Sequence, residues 1–566
     1  MNKLILLEIL LVVITLSSCD SLKDLTYTVT PNPLEMHGDS VRVKIEVKVP
    51  EKGIGKKIVA EITPKLGNQT LDVVKVAGEK IKIGEKSIPF KSGGKVTYDK
   101  TYAYDPSFEN TNLEINLKAY KGAIGAKEKK KEAIDSKIIA EGTIITPMLL
   151  QPNFKVVSLK QEYIQTKDDL IKATINYDKG RSELRPNEMK DADIVALKEW
   201  LKSNAGNSRI IIKNISINGY ACPDGVESKN LTLSDNRVTT ALKVIESLLK
   251  ETKYSPVDLK TLSKNKGLGE DFEGFTSELN KSNLTAEDKS LISRVIKETT
   301  DLDTRERKIK EISKVYMEIE KDIFPRLRRA EIVITYSIVG PSNEELMSIG
   351  STNPSSLKLD ELIQAAELIK DAKTKQSIYT AALGIKADDK LVLNNLGVLM
   401  YDQGKYDEAK SYFEKSGKIE SSAENRNNLA STAAKKGDFE TARKLLEKNS
   451  LAAAKYNFGY FSIKRGRYTD AITAMKGENS FNLALAQLLN GKADEAIKTL
   501  DACETKETAE WFYLKAVANA RLNNVEGTVS NLKSAIAKNS SLKEKARNDK
   551  EFRNFNANSS FTSLLN

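Results

Sequence analysis

Residues 393–416 read LNNLGVLMYDQGKYDEAKSYFEKS, and the chain restates this stretch three times. It can be laid on RNNLASTAAKKGDFETARKLLEKN at 426–449, on KYNFGYFSIKRGRYTDAITAM at 455–475 and on SFNLALAQLLNGKADEAIKTL at 480–500. Each copy carries a small residue (Gly397, Ala430, Gly459, Ala484), then a glycine seven positions on (Gly404, Gly437, Gly466, Gly491). Five residues later comes an alanine: Ala409, Ala442, Ala471 or Ala496. A glycine in that place supplies the positive-φ turn between two helices. The small residues let the paired helices approach closely. WFYLKAVANARLNNVEGTVSNLKSAI at 511–536 is a weaker fifth copy, and 358–386 a degenerate first one. Residues 541–566 are expected to cap the stack, because an end repeat must cover its open apolar face.

Four in-phase copies of this pattern resemble the tetratricopeptide repeat. The resemblance implies an all-α solenoid over 357–540 whose concave helical surface grips other proteins.

Working toward the N-terminus, residues 165–340 change character. DLIKATINY at 169–177, SRIIIKNISINGY at 208–220 and RLRRAEIVITY at 326–336 read as strands. Ile194, Leu197 and Leu201 have helical spacing, as do Val238, Ala241, Leu242, Ile245, Leu248 and Leu249. Residues 250–322 are polar and mostly helical, an insertion before the closing strand. The stretch GYACPDGVESKNLTLSDNR at 219–237 joins a strand to a helix. Ser234 begins the apolar stripe and is expected to be the helix N-cap. That would place Arg237 in the first helical turn, where the helix dipole does not favour a cation.

Gly219, Tyr220, Gly225, Asn230, Leu233, Ser234 and Arg237 fall on the pattern of the OmpA-like domain, and the flanking strands resemble that family in order. The resemblance implies an α+β fold, βαβαβ with the helical insertion, that associates with peptidoglycan. The family reads diaminopimelate with an arginine fork for the carboxylate and an aspartate for the ammonium group. Arg237 matches the arginine, but the aspartate position is Cys222. A neutral thiol cannot balance an ammonium; losing one charge-assisted bond lowers affinity roughly 10- to 150-fold. Asp224 stands two residues on, either as a replacement ligand or as a turn residue in CPDG. Asn230 reads as a loop-bracing amide or as a ligand contact.

Residues 26–160 show period-two alternation. VRVKIEVKV at 41–49 and LEINLKA at 113–119 mark half-buried antiparallel strands. An all-β immunoglobulin-like sandwich is expected there. The first residues, MNKLILLEILLVVITLSSCDS, place Lys3 before an apolar stretch too short to span a membrane as a mature helix. LSSC at 16–19 resembles the bacterial lipobox, which implies a signal peptide over 1–18, lipidation of Cys19 and a tether over 19–25.

The 566 residues carry a net charge of +11, with Lys and Glu interleaved over most of the length. Nucleic-acid binding would instead cluster basic residues among aromatics. The dense run KEKKKE at 127–132 reads as a solvated loop. One histidine, His37, and three cysteines exclude the usual metal sites, and no cofactor is expected. No carboxylate pair or based nucleophile stands at a recognisable spacing, so no enzyme is expected. Two readings remain. One is an outer-membrane lipoprotein scaffold on the periplasmic face, binding envelope proteins through its repeats, with wall binding weak or lost. The other is a genuine tether between membrane and peptidoglycan.

Overall fold

The computed structural model describes residues 22, 24–82, 87–128, 133–254 and 257–566. The apolar leader and Cys19 lie outside the described residues, as do positions 129–132 of the charged run. No helix among the described residues is long and apolar enough to cross a membrane. The chain forms two compact units. One joins the residues up to Lys160 with Lys386–Asn566; the other is Gln161–Ile385.

In the first unit, the strand Ser40–Val49 does what its alternation demands. Val41, Val43, Ile45 and Val47 are fully buried, while Arg42, Lys44 and Lys48 face water. It pairs antiparallel with Thr26–Val29 and with Gly94–Ala103. A second sheet is built on Ile58–Leu66, antiparallel to Leu113–Lys121, which in turn pairs with Ile134–Ala140. The inward faces of both sheets share one core that includes Val43, Ile45, Ile62, Phe108 and Leu117.

The repeats of this unit are helix pairs. Lys390–Asp402 is followed by Tyr406–Ile419, Ala423–Lys435 by Phe439–Leu446, and Ala452–Lys464 by Tyr468–Ala474. Phe481–Leu489 is followed by Ala493–Ala502, and Ala509–Arg521 by Val525–Lys538. The four turn glycines have φ of 75°, 83°, 71° and 78°. In the fifth pair Asn523 takes the same place at φ 55°, a conformation asparagine tolerates. A Cβ on Gly397 would lie 2.5 Å from the Phe413 ring, which is why the first helix must be bare there. Helices Leu542–Asn548 and Ser559–Leu565 follow, and Phe552, Phe555 and Phe561 close the apolar end of the last pairs. The pair Leu359–Leu368 and Ala372–Ile385, the degenerate first copy, belongs to the other unit.

The β-sheets and the repeats are thus not independent bodies. The His37 ring stands edge-on to Tyr468 at 4.8 Å, and the Gly38 N–H donates to the Tyr468 hydroxyl at 2.9 Å. Residues 151–159, grouped with the β region on sequence, carry no regular secondary structure and belong with the repeats.

The second unit holds a four-stranded sheet in the order Thr166–Asn176, Arg329–Val339, Ile210–Ala221, Ser263–Glu270. Arg329–Val339 is antiparallel to both neighbours, and Ser263–Glu270 is parallel to Ile210–Ala221. Three of these strands are legible in the sequence. The fourth lies inside the stretch read as a helical insertion. SKNKGLGE has no alternation to betray it, because an edge strand is held by its backbone. Glycines admit the helix Glu227–Thr252 against this sheet. A Cβ on Gly219 would lie 2.2 Å from the Ser234 carbonyl oxygen, and one on Gly267 2.2 Å from the Asp235 carboxylate.

That helix begins at Glu227, not at Ser234. Ser234 sits two turns in, donating to the Leu231 carbonyl at 2.7 Å and accepting the Gly269 N–H at 3.0 Å. The first turns are largely polar, so the apolar stripe starts later than the helix. The dipole argument at Arg237 therefore lapses.

Candidate functional site

In an extended chain, the N–H and C=O of every second residue point the same way. Residues 151–159 use this geometry against the first helices of four repeats. Asn395 accepts the Leu159 N–H at 2.8 Å and donates to the Leu159 carbonyl at 2.9 Å. Asn428 does the same to Val157, at 2.7 and 2.8 Å. Asn457 does so to Lys155, at 2.7 and 2.8 Å, and Asn482 to Gln151, at 3.0 and 2.8 Å. One primary amide per repeat thus replaces the edge of a neighbouring strand. The segment runs against the order of the repeats.

A second tier orients the first. Asn394 donates to the Val157 carbonyl at 3.0 Å, and Asn427 to the Lys155 carbonyl at 3.0 Å. The amides also bond one another: Asn428 donates to Asn394 at 3.0 Å, and Asn457 to Asn427 at 2.8 Å. All six are at least 97% buried. A buried amide costs about 1–3 kcal/mol if left unpaired, and here the main chain of 151–159 supplies the partners.

Side chains add one strong anchor. Phe154 is 7% exposed and packs with Tyr460 at 4.8 Å and Phe461 at 6.0 Å between ring centres. Leu150 packs at the junction of three apolar clusters of the repeats. Lys155 pairs with Glu478 and lies over the Tyr456 ring. By contrast Pro152, Asn153, Ser158 and Lys160 are exposed. The register skips Asn153, and beside that gap a cavity of about 600 Å³ is lined in part by Tyr456, Glu478, Glu504 and Trp511.

Sequence reasoning missed these asparagines, although their signal is present. An asparagine stands two residues before the small residue in all four strong copies. A recurrent amide on an otherwise apolar helix face marks a buried polar function.

The other candidate site lies in the second unit, where the structure brings Cys222, Asp224, Asn230 and Arg237 together around the loop after Ile210–Ala221. Arg237 is 1% exposed. Its guanidinium donates to the carbonyls of Tyr220 (2.6 Å), Arg181 (3.0 and 3.1 Å) and Asp178 (3.4 Å), and stacks 5.2 Å over Tyr177. Burial pulls its pKa down to about 10, so it stays charged at neutral pH. Cys222 is buried among Phe275, Leu279, Phe324 and Leu327, and its Sγ accepts from Arg328 Nε at 3.3 Å. Burial pushes the thiol up, against the pull of Arg328.

The 250–322 segment covers this loop. Tyr316 donates to Asp224 at 2.9 Å, and Lys310 pairs with it at 3.3 Å. Lys179 pairs with Asp224 at 2.5 Å. Burial raises the Asp224 carboxyl, but these donors prevail and hold it below the usual carboxylate range. Glu306 accepts the Gly225 N–H at 2.5 Å, and Asp303 the Glu227 N–H at 3.1 Å. Asn230 braces the loop, donating to the Cys222 and Gly225 carbonyls at 3.3 and 3.4 Å and to Glu270 at 2.8 Å. Among the described residues no group of histidine, cysteine or acidic side chains is placed to hold a metal ion.

A tetratricopeptide repeat family profile matches residues 391–416. No curated protein matches the sequence. Among solved structures, YrrB, a tetratricopeptide repeat protein described with an unusual peptide-binding site, is 19% identical. That match covers 30% of this chain and 97% of YrrB at a TM-score of 0.25. A tetratricopeptide repeat protein from Parabacteroides merdae is 14% identical, covering 37% of this chain and 90% of its own at a TM-score of 0.27. TTC0263 from Thermus thermophilus is 18% identical, covering 29% and 99% at a TM-score of 0.23. The C-terminal region of this chain carries tetratricopeptide repeats.

Proposed function

We propose that the protein is a non-enzymatic scaffold of the bacterial cell envelope. In this reading it is held at the outer membrane by lipid on Cys19, on the periplasmic face. An immunoglobulin-like sandwich, an OmpA-like middle domain and the repeats follow in turn. The observation that carries the scaffold reading is the asparagine array. It is a surface built to hold an extended polypeptide by its main chain.

In the same reading the OmpA-like domain has lost its wall ligand. Three observations support this: Cys222 faces an apolar core, Asp224 is taken up by Lys179, Lys310 and Tyr316, and the Arg237 guanidinium is spent on backbone carbonyls. The tether reading retains one argument, since Arg237 is a buried cation with no carboxylate among its hydrogen-bond partners in the described residues.

Co-sedimentation with purified sacculi separates the two. The scaffold reading expects the soluble chain to stay in the supernatant, with or without Arg237→Ala. Sedimentation of the wild type that is lost in Arg237→Ala would establish the tether instead. Metabolic labelling with palmitate, lost in Cys19→Ala, checks the anchor. Cross-linking in intact envelopes then identifies the protein partners.

A further inference from the structure

The repeat face is already filled by the chain itself, and the occupant is tethered at both ends. We propose that residues 151–159 act as a cis ligand that closes this face to extended peptides in trans. A partner peptide enters only when the segment is displaced. This deepens the scaffold reading and rests on it.

The contacts define what would compete. Four amides read only N–H and C=O, so the main chain must be extended, with non-proline residues where Gln151, Lys155, Val157 and Leu159 now stand. The single demanding side-chain position is that of Phe154, which sits among Tyr460, Phe461, Ala430 and Leu446. The fitting partner is therefore an extended segment with one aromatic anchor, running against the repeat order. A short tether gives an effective concentration on the order of a millimolar. With an intrinsic Kd of about micromolar for the segment itself, the tether leaves roughly one face in a thousand open, and the apparent affinity of a trans peptide falls by about the same factor.

The test uses the full chain and a fluorescent peptide of residues 149–161, LLQPNFKVVSLKQ. The variant Lys155→Pro/Val157→Pro removes two of the four N–H donors to the array. The expected result is no measurable binding to the wild type at micromolar peptide. The double variant should bind about a thousandfold more tightly, and a scrambled peptide not at all. Adding Asn428→Ala and Asn457→Ala to the double variant should abolish the gain. If the double variant does not fold alone, peptide present during refolding should restore its helical circular dichroism. Equal binding to wild type and variant, or a folded variant that ignores the peptide, overturns the proposal, as does failure of the peptide to rescue refolding. Partners cross-linked in envelopes despite such a failure would leave the scaffold reading standing and remove only the cis ligand.

Discussion

Asn428 joins two repeats to the extended segment: it holds Val157 by both backbone groups and donates to Asn394. Replacing it by alanine strips a buried N–H and a buried C=O of their partner at once. The variant Asn428→Ala should lose about 2–4 kcal/mol in the urea transition reported by the repeat helices. An exposed polar residue of the repeat helices, such as Lys498, should change stability by less than about 0.5 kcal/mol. Glu270 tests the covered loop of the other unit. Burial, reinforced by Glu306, Asp303 and Glu227, pushes its carboxyl up to about 7, against the pull of the Asn230 amide. A folded-state pKa above the unfolded value means the native state binds the extra proton. Stability contributed by Glu270 is therefore full below about pH 4.5 and declines as pH rises through 7. Glu270→Gln should flatten that decline and raise the melting temperature at pH 8, a shift absent at pH 4. The residue scale was only partly legible. Arg237, Cys222, Asp224 and Asn230 could be picked out as one cluster, but not the carbonyl cage around Arg237, which is assembled from Asp178, Arg181 and Tyr220 on separate segments.

At the scale of elements, close approach governs. Gly397 lies under the Phe413 ring, and Gly397→Ala should cost about 1–3 kcal/mol by overpacking, read from the same urea transition. Truncating the anchor of the extended segment, Phe154→Ala, should cost about 3–5 kcal/mol, since the ring is enclosed by helices of two repeats. A solvated linker would show no such effect. Helix pairs, their turn glycines and the alternating strand Ser40–Val49 all follow from period and turn chemistry, because each is a local rule repeated along the chain. Two elements escaped that logic. Ser263–Glu270 is an edge strand fixed by backbone pairing, and the helix Glu227–Thr252 starts in turns with no apolar stripe.

For the molecule as a whole, residues 151–159 are bound along the repeats, within the compact unit that also holds the β-sheets. Their amides should behave accordingly in hydrogen exchange. Lys155, Val157 and Leu159 are expected to exchange about a thousandfold more slowly than free amides, released with the segment before the helices Lys390–Asp402 and Ala423–Lys435 open. Exchange within seconds, as in an exposed connector, would contradict a bound segment.

The sequence by itself determined what repetition and periodicity can encode: helix pairs with a glycine turn, small residues at their crossings, and strands that alternate. Each depends on neighbours within a few dozen positions. Only the tertiary structure decided what the repeat face holds, because the partners of Asn395, Asn428, Asn457 and Asn482 lie more than two hundred residues away along the chain. It likewise decided that the insertion closes over Cys222 and Asp224. A main-chain contact of that kind leaves almost no mark on the side chains of the segment that is held, so only folding brings donor and acceptor onto the same page.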